Sequence, residues 1–351
     1  MVSSAAGEPF ERIERFLTGH GFGTPDPPAG MVADLYLGYG LAAGIAGVHE
    51  RQPPEPCPLP LAACRVRPAD EPGPAPGTFA AGAFVPTWSA AEHAAAVRRV
   101  RAAIGRGDVY QVNLVQHLRA PFAGSAHALE AALVPLGAEW AHALHGDGWS
   151  IVSATPELFL QTRGDIARTM PIKGTRPAGP GAPIAASAKD RAEHVMIVDL
   201  ERNDLGRVCL PGSVRVAEYL AERPMAGVRH MVSTVEGRLR PGVGLAELLR
   251  ATFPGGSVTG APKLAAIDHI ARLEPVGRGA AMGALGVVHP NGDLDLGLTI
   301  RTLAVAAGGL HLWVGGGIVW DSDPAAEVEE SLVKARPVAW LIGAALPEGR
   351  A

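Results

Sequence analysis

Thr169-Met-Pro-Ile-Lys173-Gly-Thr-Arg-Pro-Ala-Gly179 sets a lysine between an apolar pair and a Gly-Thr step. Pro171 and Pro177 fix φ on either side, and Gly174 admits a close backbone approach. In so apolar and stiff a setting, desolvation lowers the pKa of an amine and leaves it nucleophilic, as covalent catalysis by lysine requires. The same residues also read as a solvated lysine on a Pro/Gly turn. The flanking chain has to separate the two.

Upstream, Trp149 to Gln161 predicts a strand region with Glu157 at a strand's edge, after Pro156. That carboxyl is either a charge that keeps an edge from pairing or an acid of raised pKa. Further back, Ser89-Ala-Ala-Glu92 is a capping box for a helix ending at Gly105-Arg-Gly107. Val109 to Leu118 alternates as a strand, with Gln111 and Asn113 facing solvent or a cleft.

Downstream, Ser187 followed by Asp190 predicts a helix start, and the helix runs to Asp204. Asp190, Glu193 and Ile197 share one face. Val195 to Val198 among the charges predicts burial, so these acids need partners. His230 to Gly237 alternates as a strand, in which His230 reads as a structural histidine or a proton handler. Thr252 to Lys263 predicts a Gly-rich loop presenting N–H groups to an anion ahead of a helix over 264–273. It lacks P-loop spacing, so a carboxylate ligand fits better than a nucleotide. Gly283 to Val288 and Leu294 to Leu303 predict a hairpin about Asn291-Gly292, with Arg301 at the end of its second strand. His311 to Val319 is a further strand, whose Gly315-Gly316-Gly317 marks a bulge or a ligand's approach. Asp323-Pro324 caps a last helix, where Glu327, Glu330 and Lys334 share a face. Glu330 and Lys334 read equally as an ordinary i,i+4 surface pair.

The 351 residues are 47% hydrophobic and 19% charged, with a formal net charge of −4, which argues against a nucleic-acid or membrane-surface partner. Met1 to Thr18 lacks a signal-peptide pattern and Leu35 to Val48 is too short to span a bilayer, so a cytoplasmic location is expected. Cys57, Cys64 and Cys209 have no metal-ligand spacing and read as reduced thiols. Ten prolines between Arg51 and Pro86 predict a connection over 51–87. It would divide an N-terminal region, 1–50, from a main domain, 88–345.

Taken in order, Asp108-Val-Tyr-Gln-Val-Asn-Leu, Pro171-Ile-Lys-Gly-Thr-Arg-Pro, Glu193-His with Val198-Asp-Leu-Glu-Arg-Asn-Asp-Leu-Gly, Gly256-Ser-Val-Thr-Gly-Ala-Pro-Lys, Ile300-Arg-Thr, and Asp321-Ser-Asp-Pro with Glu327, Glu330 and Lys334 resemble the chorismate-utilising enzymes. The resemblance spans about residues 88 to 345 and implies an α+β fold of two packed, mostly antiparallel sheets flanked by helices. Lysine at 173 with glutamine at 111 resembles the aminodeoxychorismate synthase component I branch. Anthranilate-forming members carry Ala in place of Lys173, and isochorismate-forming ones carry Lys in place of Gln111.

The resemblance implies Lys173 as nucleophile, Glu157 as acid and His230 in an orienting or proton-handling role. It implies Mg²⁺ on Glu193 and Glu330, with Asp190 and Glu327 behind them. Thr175, Thr259, Gly260, Arg301, Gly315, Gly317 and Lys334 would line or balance the chorismate site. Ammonia would come from a separate glutamine amidotransferase subunit. Two departures stand out: Ala281, where the family commonly has an aromatic residue, and a shortened N-terminal region. An anthranilate synthase component and a non-catalytic chorismate-binding relative remain as alternatives.

Overall fold

The computed structural model describes residues 9–73, 75, 77–177, 183, 184, 187–225 and 228–347. The helices are α1 (Pro9–Gly19), α2 (Ala90–Arg106), α3 (Ala128–Leu133), α4 (Ala188–Gly206), α5 (Leu245–Thr252), α6 (Lys263–Leu273) and α7 (Pro324–Leu341). The strands of the first half are β1 (Met31–Leu37), β2 (Ala62–Pro68), β3 (Phe79–Ala81), β4 (Val85–Pro86), β5 (Gln111–Gly124), β6 (His142–Gly146), β7 (Trp149–Ser153), β8 (Leu158–Arg163), β9 (Ile166–Met170) and β10 (Ile172–Pro177). Those of the second half are β11 (Arg215–Met225), β12 (Val228–Arg238), β13 (Gly260–Ala261), β14 (Ala284–Val288), β15 (Leu294–Leu298), β16 (Thr302–Ala306) and β17 (Gly309–Ile318).

They form two antiparallel sheets, as expected. A nine-stranded sheet has the order β10-β12-β9-β8-β15-β14-β1-β2, with β11 on β12; an eight-stranded sheet has the order β13-β5-β17-β16-β7-β6, with β3 and β4 on β5. β9 and β10 occupy one edge of β12 in succession, Ile166 to Thr169 against Arg238 to Val235, then Ile172 to Pro177 against Val232 to Val228. The register slips between Lys173 and Thr175, at Gly174, whose φ is 69°. A bulge with a left-handed glycine re-aims the neighbouring side chain, and here that neighbour is Lys173.

The helix signals are local and hold. Ser89 and Glu92 form the capping box of α2, Ser187 accepts from the Asp190 amide at the start of α4, and Asp323 caps α7. The Asn291-Gly292 hairpin joins β14 to β15 with Val288 opposite Leu294.

Two readings of local structure need correction. Trp149 to Gln161 is not one strand region: Ala154 to Glu157 leaves the ladder, so that β7 lies in the eight-stranded sheet and β8 in the nine-stranded one. β5 is buried on both faces over residues 111–118, because α2 and α6 pack against it. Gln111 and Asn113 are therefore interior, and Tyr110 is the exposed residue, at 68%. The proline-rich stretch carries β2, β3 and β4, while β1 pairs with both β2 and β14. Phe10, Ile13 and Leu17 of α1 enter the same apolar cluster as Leu35, Val100, Phe253 and Leu296. A second cluster joins Leu129 and Leu133 of α3 to Leu118, Leu312 and Val338. Among the described residues no helix is long and apolar enough to cross a membrane.

Candidate active site

Two of the chain's crossings between the sheets run side by side. One crossing, 154–157, joins β7 to β8; the other, 299–301, joins β15 to β16. They are tied by the Ala154 amide to the Arg301 carbonyl at 3.1 Å and by the Leu298 amide to the Glu157 carbonyl at 2.9 Å. Glu157 and Arg301 thus lie on adjacent crossings, Arg301 paired with Ala154 and Glu157 with Leu298. Arg301 has φ of 49°, a strained value for a non-glycine residue, of the kind that clusters at functional sites.

Glu157 is 5% exposed. Burial raises its pKa, against the hydrogen bond from Ser257, the charge of Lys173 and the Ile172 amide. Lys173 is half-buried, with Nζ 3.4 Å from the Ser257 carbonyl. Desolvation holds its pKa below the usual lysine range, opposed by the charges of Glu157, Glu193 and Glu330 and helped by Lys334. Ser257 therefore serves both groups, its side chain on Glu157 and its carbonyl on Lys173. The Asn113 side-chain amide donates to the same carbonyl at 3.4 Å.

The acids arrive on two helices. Glu193 is on α4, and Glu327 and Glu330 are on α7. Ser322 Oγ donates to buried Glu327 at 2.6 Å. Lys334 pairs with Glu330 at 2.8 Å and donates to the Gly315 carbonyl at 2.9 Å. Asp190 is ion-paired to Arg176 at 2.7 Å. A methyl group on Gly316 would lie 3.2 Å from Lys334 Nζ, 3.5 Å from Glu327 Oε2 and 3.7 Å from Glu330 Oε1. Glu327 and Glu330 thus converge on the bare backbone of that glycine.

The other glycines are dictated by close approach. A Cβ at Gly315 would meet the Leu114 carbonyl, one at Gly317 the side chain of Gln111, and one at Gly260, with φ of 146°, the Gln111 carbonyl. β17 runs beside β5 without a register shift, so the triplet marks close packing and not a bulge. Gln111 is fully buried, and neither atom of its amide has a hydrogen-bond partner among the described residues.

His230 is buried and faces Thr175 across the β10–β12 ladder. Burial, then the Arg301 charge, bring its pKa down to about 4 against a hydrogen bond with the Gly174 backbone, so its ring is neutral at neutral pH. The Thr175 side chain lies outside the described residues. The Thr259 hydroxyl donates within its own loop, to the carbonyls of Gly255 at 3.0 Å and Gly256 at 3.2 Å. Nor does that loop aim its N–H groups outward: the Gly256 amide donates to buried Glu201 at 2.9 Å. Lys263 holds the carbonyls of Thr252 and Pro254 and pairs with Asp204. Ala281 lies in the main apolar cluster at 1% exposure.

Arg301 is half-buried, and its guanidinium has no hydrogen bond or ion pair among the described residues. A half-buried planar cation left open in this way is suited to a carboxylate ligand. The carboxylate oxygens near Gly316 are the hard donors that Mg²⁺ prefers.

Sequence reasoning missed Ser257, Gly316 and Arg278. Ser257 and Gly316 stand inside stretches singled out for their neighbours. Arg278 is 2% exposed and is held by Glu274 through contacts of 2.6 and 2.8 Å. It donates to the carbonyls of Val258 and Asn113, both at 2.7 Å, and so fixes the Ser257 turn against β5. Its i,i+4 spacing from Glu274 was the available signal.

The family model described as chorismate binding enzyme matches residues 41–339. The chain is 44% identical over 252 residues to aminodeoxychorismate synthase component 1 of Klebsiella aerogenes, covering 69% of this chain and 56% of that one. It is 42% identical over 250 residues to anthranilate synthase component 1 of Streptomyces coelicolor, covering 68% and 49%. The chain spans about half the length of these curated relatives. A crystal structure of anthranilate synthase component I from Streptococcus pneumoniae superposes with a TM-score of 0.77 at 25% identity, covering 92% of this chain and 84% of that one.

Proposed function

This chain belongs to the chorismate-binding enzyme family, and from that premise we propose that it aminates chorismate at C4, as the large component of an aminodeoxychorismate synthase. The observation that carries the reading is the meeting of Lys173 and Glu157 on Ser257. Both groups are desolvated in the directions that favour a neutral amine beside a protonated acid.

In the proposed reaction Lys173 Nζ bonds to C2 of the ring. The ring double bonds shift and the C4–O bond breaks, the hydroxyl leaving as water with the proton of Glu157. Ammonia then bonds at C4, the double bonds shift back, and the C2–Nζ bond breaks to return the lysine. Arg301 pairs with the enolpyruvyl carboxylate, and neutral His230 orients the neighbouring backbone. The backbone of Gly260, Gly315 and Gly317 lies close to the substrate, and Lys334 balances the acids. Glu193 and Glu330 hold Mg²⁺, with Glu327 and Asp190 behind them. The ion supplies positive charge for the ring carboxylate. A separate glutamine amidotransferase subunit supplies the ammonia.

The near-equal identity to an anthranilate synthase component favours a second reading, amination at C2. Incubation of the purified chain with chorismate, Mg²⁺ and concentrated ammonium, with mass analysis of the product, separates the two. The reading expects 4-amino-4-deoxychorismate from the parent and none from Lys173→Ala. Anthranilate from the parent, or turnover unchanged in the variant, overturns it.

A further inference from the structure

Away from the cleft, α3 and β6 bring three donor groups together that none of the chemistry above uses. His127 immediately precedes α3, Glu130 lies in its first turn, and His145 lies on β6. Glu130 Oε1 is 2.9 Å from His145 Nε2 and 3.5 Å from His127 Nδ1, and the three donor atoms all fall within 4.8 Å of one another. We propose that His127, Glu130 and His145 bind a divalent transition metal of the zinc class.

Donors around a tetrahedral zinc, with metal–ligand distances of about 2.0–2.2 Å, stand roughly 3.3–3.5 Å apart. The observed spacings reach that arrangement with small side-chain adjustments. Two imidazoles and a carboxylate are a donor set suited to zinc, copper or nickel, and a poor one for Mg²⁺.

Two features around the donors point the same way. His145 Nδ1 lies 2.8 Å from Ser150 Oγ, its cross-strand partner on β7. A proton held on Nδ1 by that hydroxyl leaves the Nε2 lone pair for an ion, which is how outer hydrogen bonds orient metal-binding histidines. His127 Nδ1 is buried and makes no hydrogen bond among the described residues, although it is aimed at Glu130. An ion between the two would satisfy it. Beside the cluster lies a cavity of about 500 Å³, lined by His127, Glu130, Gly77, Thr78, Phe79 and Ala131. It leaves room for a water or a further ligand in the fourth position.

The test is titration of the chelator-stripped full chain with Zn²⁺, measured by calorimetry and by metal content after dialysis. Co²⁺ is then substituted to read tetrahedral geometry from its visible absorption. The site predicts one equivalent of Zn²⁺ that excess Mg²⁺ does not displace. His127→Ala and His145→Ala should each weaken binding at least a hundredfold, and Ser150→Ala should weaken it about tenfold to a hundredfold. Should an alanine variant fail to fold, His127→Gln and His145→Gln give the same reading on side chains of similar size. No bound equivalent, or an equivalent equally tight in both histidine variants, overturns the proposal.

Discussion

Glu157 and Arg301 occupy neighbouring crossings of the chain between the two sheets, joined by the amide of Ala154 on the Arg301 carbonyl at 3.1 Å. At these crossings the backbone leaves β7 for β8 and β15 for β16, so the position of each residue follows from strand pairing in both sheets. Acid and cation thus sit on backbone that both sheets hold. Preorganisation of that kind is what a charge-stabilising site needs.

The Lys173–Glu157 pair sets the pH profile. The active form carries one proton fewer than the fully protonated pair, so activity falls at low pH as the pair gains its last proton and at high pH as it loses its first. Burial raises Glu157 and lowers Lys173 from ordinary values of 4.5 and 10.5. The bell in kcat/KM should be narrower than those values imply on both limbs. Glu157→Gln should remove the alkaline limb, where the acid loses its proton, leave the acid limb set by Lys173, and reduce kcat by about 10² to 10⁴, with chorismate affinity little changed.

Ser257 hydrogen-bonds the ionised form of Glu157 and so restrains its pKa. Ser257→Ala removes that restraint. The alkaline limb of the profile, where Glu157 loses its proton, should move to higher pH, at a stability loss of about 1 kcal/mol by denaturant titration. An alkaline limb that stays in place or moves down would separate Ser257 from Glu157.

Adjacent glycines should fail differently. Gly315→Ala drives a Cβ into the Leu114 carbonyl and should lower Tm sharply. Gly316→Ala meets only the flexible tip of Lys334 at 3.2 Å before reaching the carboxylates, so the variant should fold. Its Mg²⁺ concentration for half-maximal turnover should rise about tenfold, which corresponds to about 1.4 kcal/mol of lost binding.

Arg278 and Glu274 form an ion pair with side chains only 1% and 3% exposed. Removing either partner alone leaves a buried charge and should cost about 3–5 kcal/mol, read as a lower denaturation midpoint. Arg278→Met with Glu274→Leu should recover part of the stability. The double variant still loses the anchors on Val258 and Asn113, so its turnover should stay depressed.

What the sequence determined by itself is local or modular. Ser89 with Glu92, Ser187 with Asp190, and Asp323 with Pro324 start helices because a cap is satisfied within one turn. Asn291-Gly292 makes its hairpin for the same reason of range. The ordered motifs around Lys173, Glu193, Arg301 and Glu330 were enough to place the chain in a family of two antiparallel sheets. Tertiary structure alone decided the rest. Alternation could not tell that β5 has helices against it, and so could not bury Gln111 and Asn113. Nothing local distinguishes a strand edge from a crossing between sheets, and that difference sets Glu157 and Arg301 on adjacent crossings. Ser257 gains its importance only when β10, the 154–157 crossing and the 256–258 turn are folded together. Partners so far apart in sequence leave no periodic or capping signal, because the contacts that define them exist only after the sheets have formed.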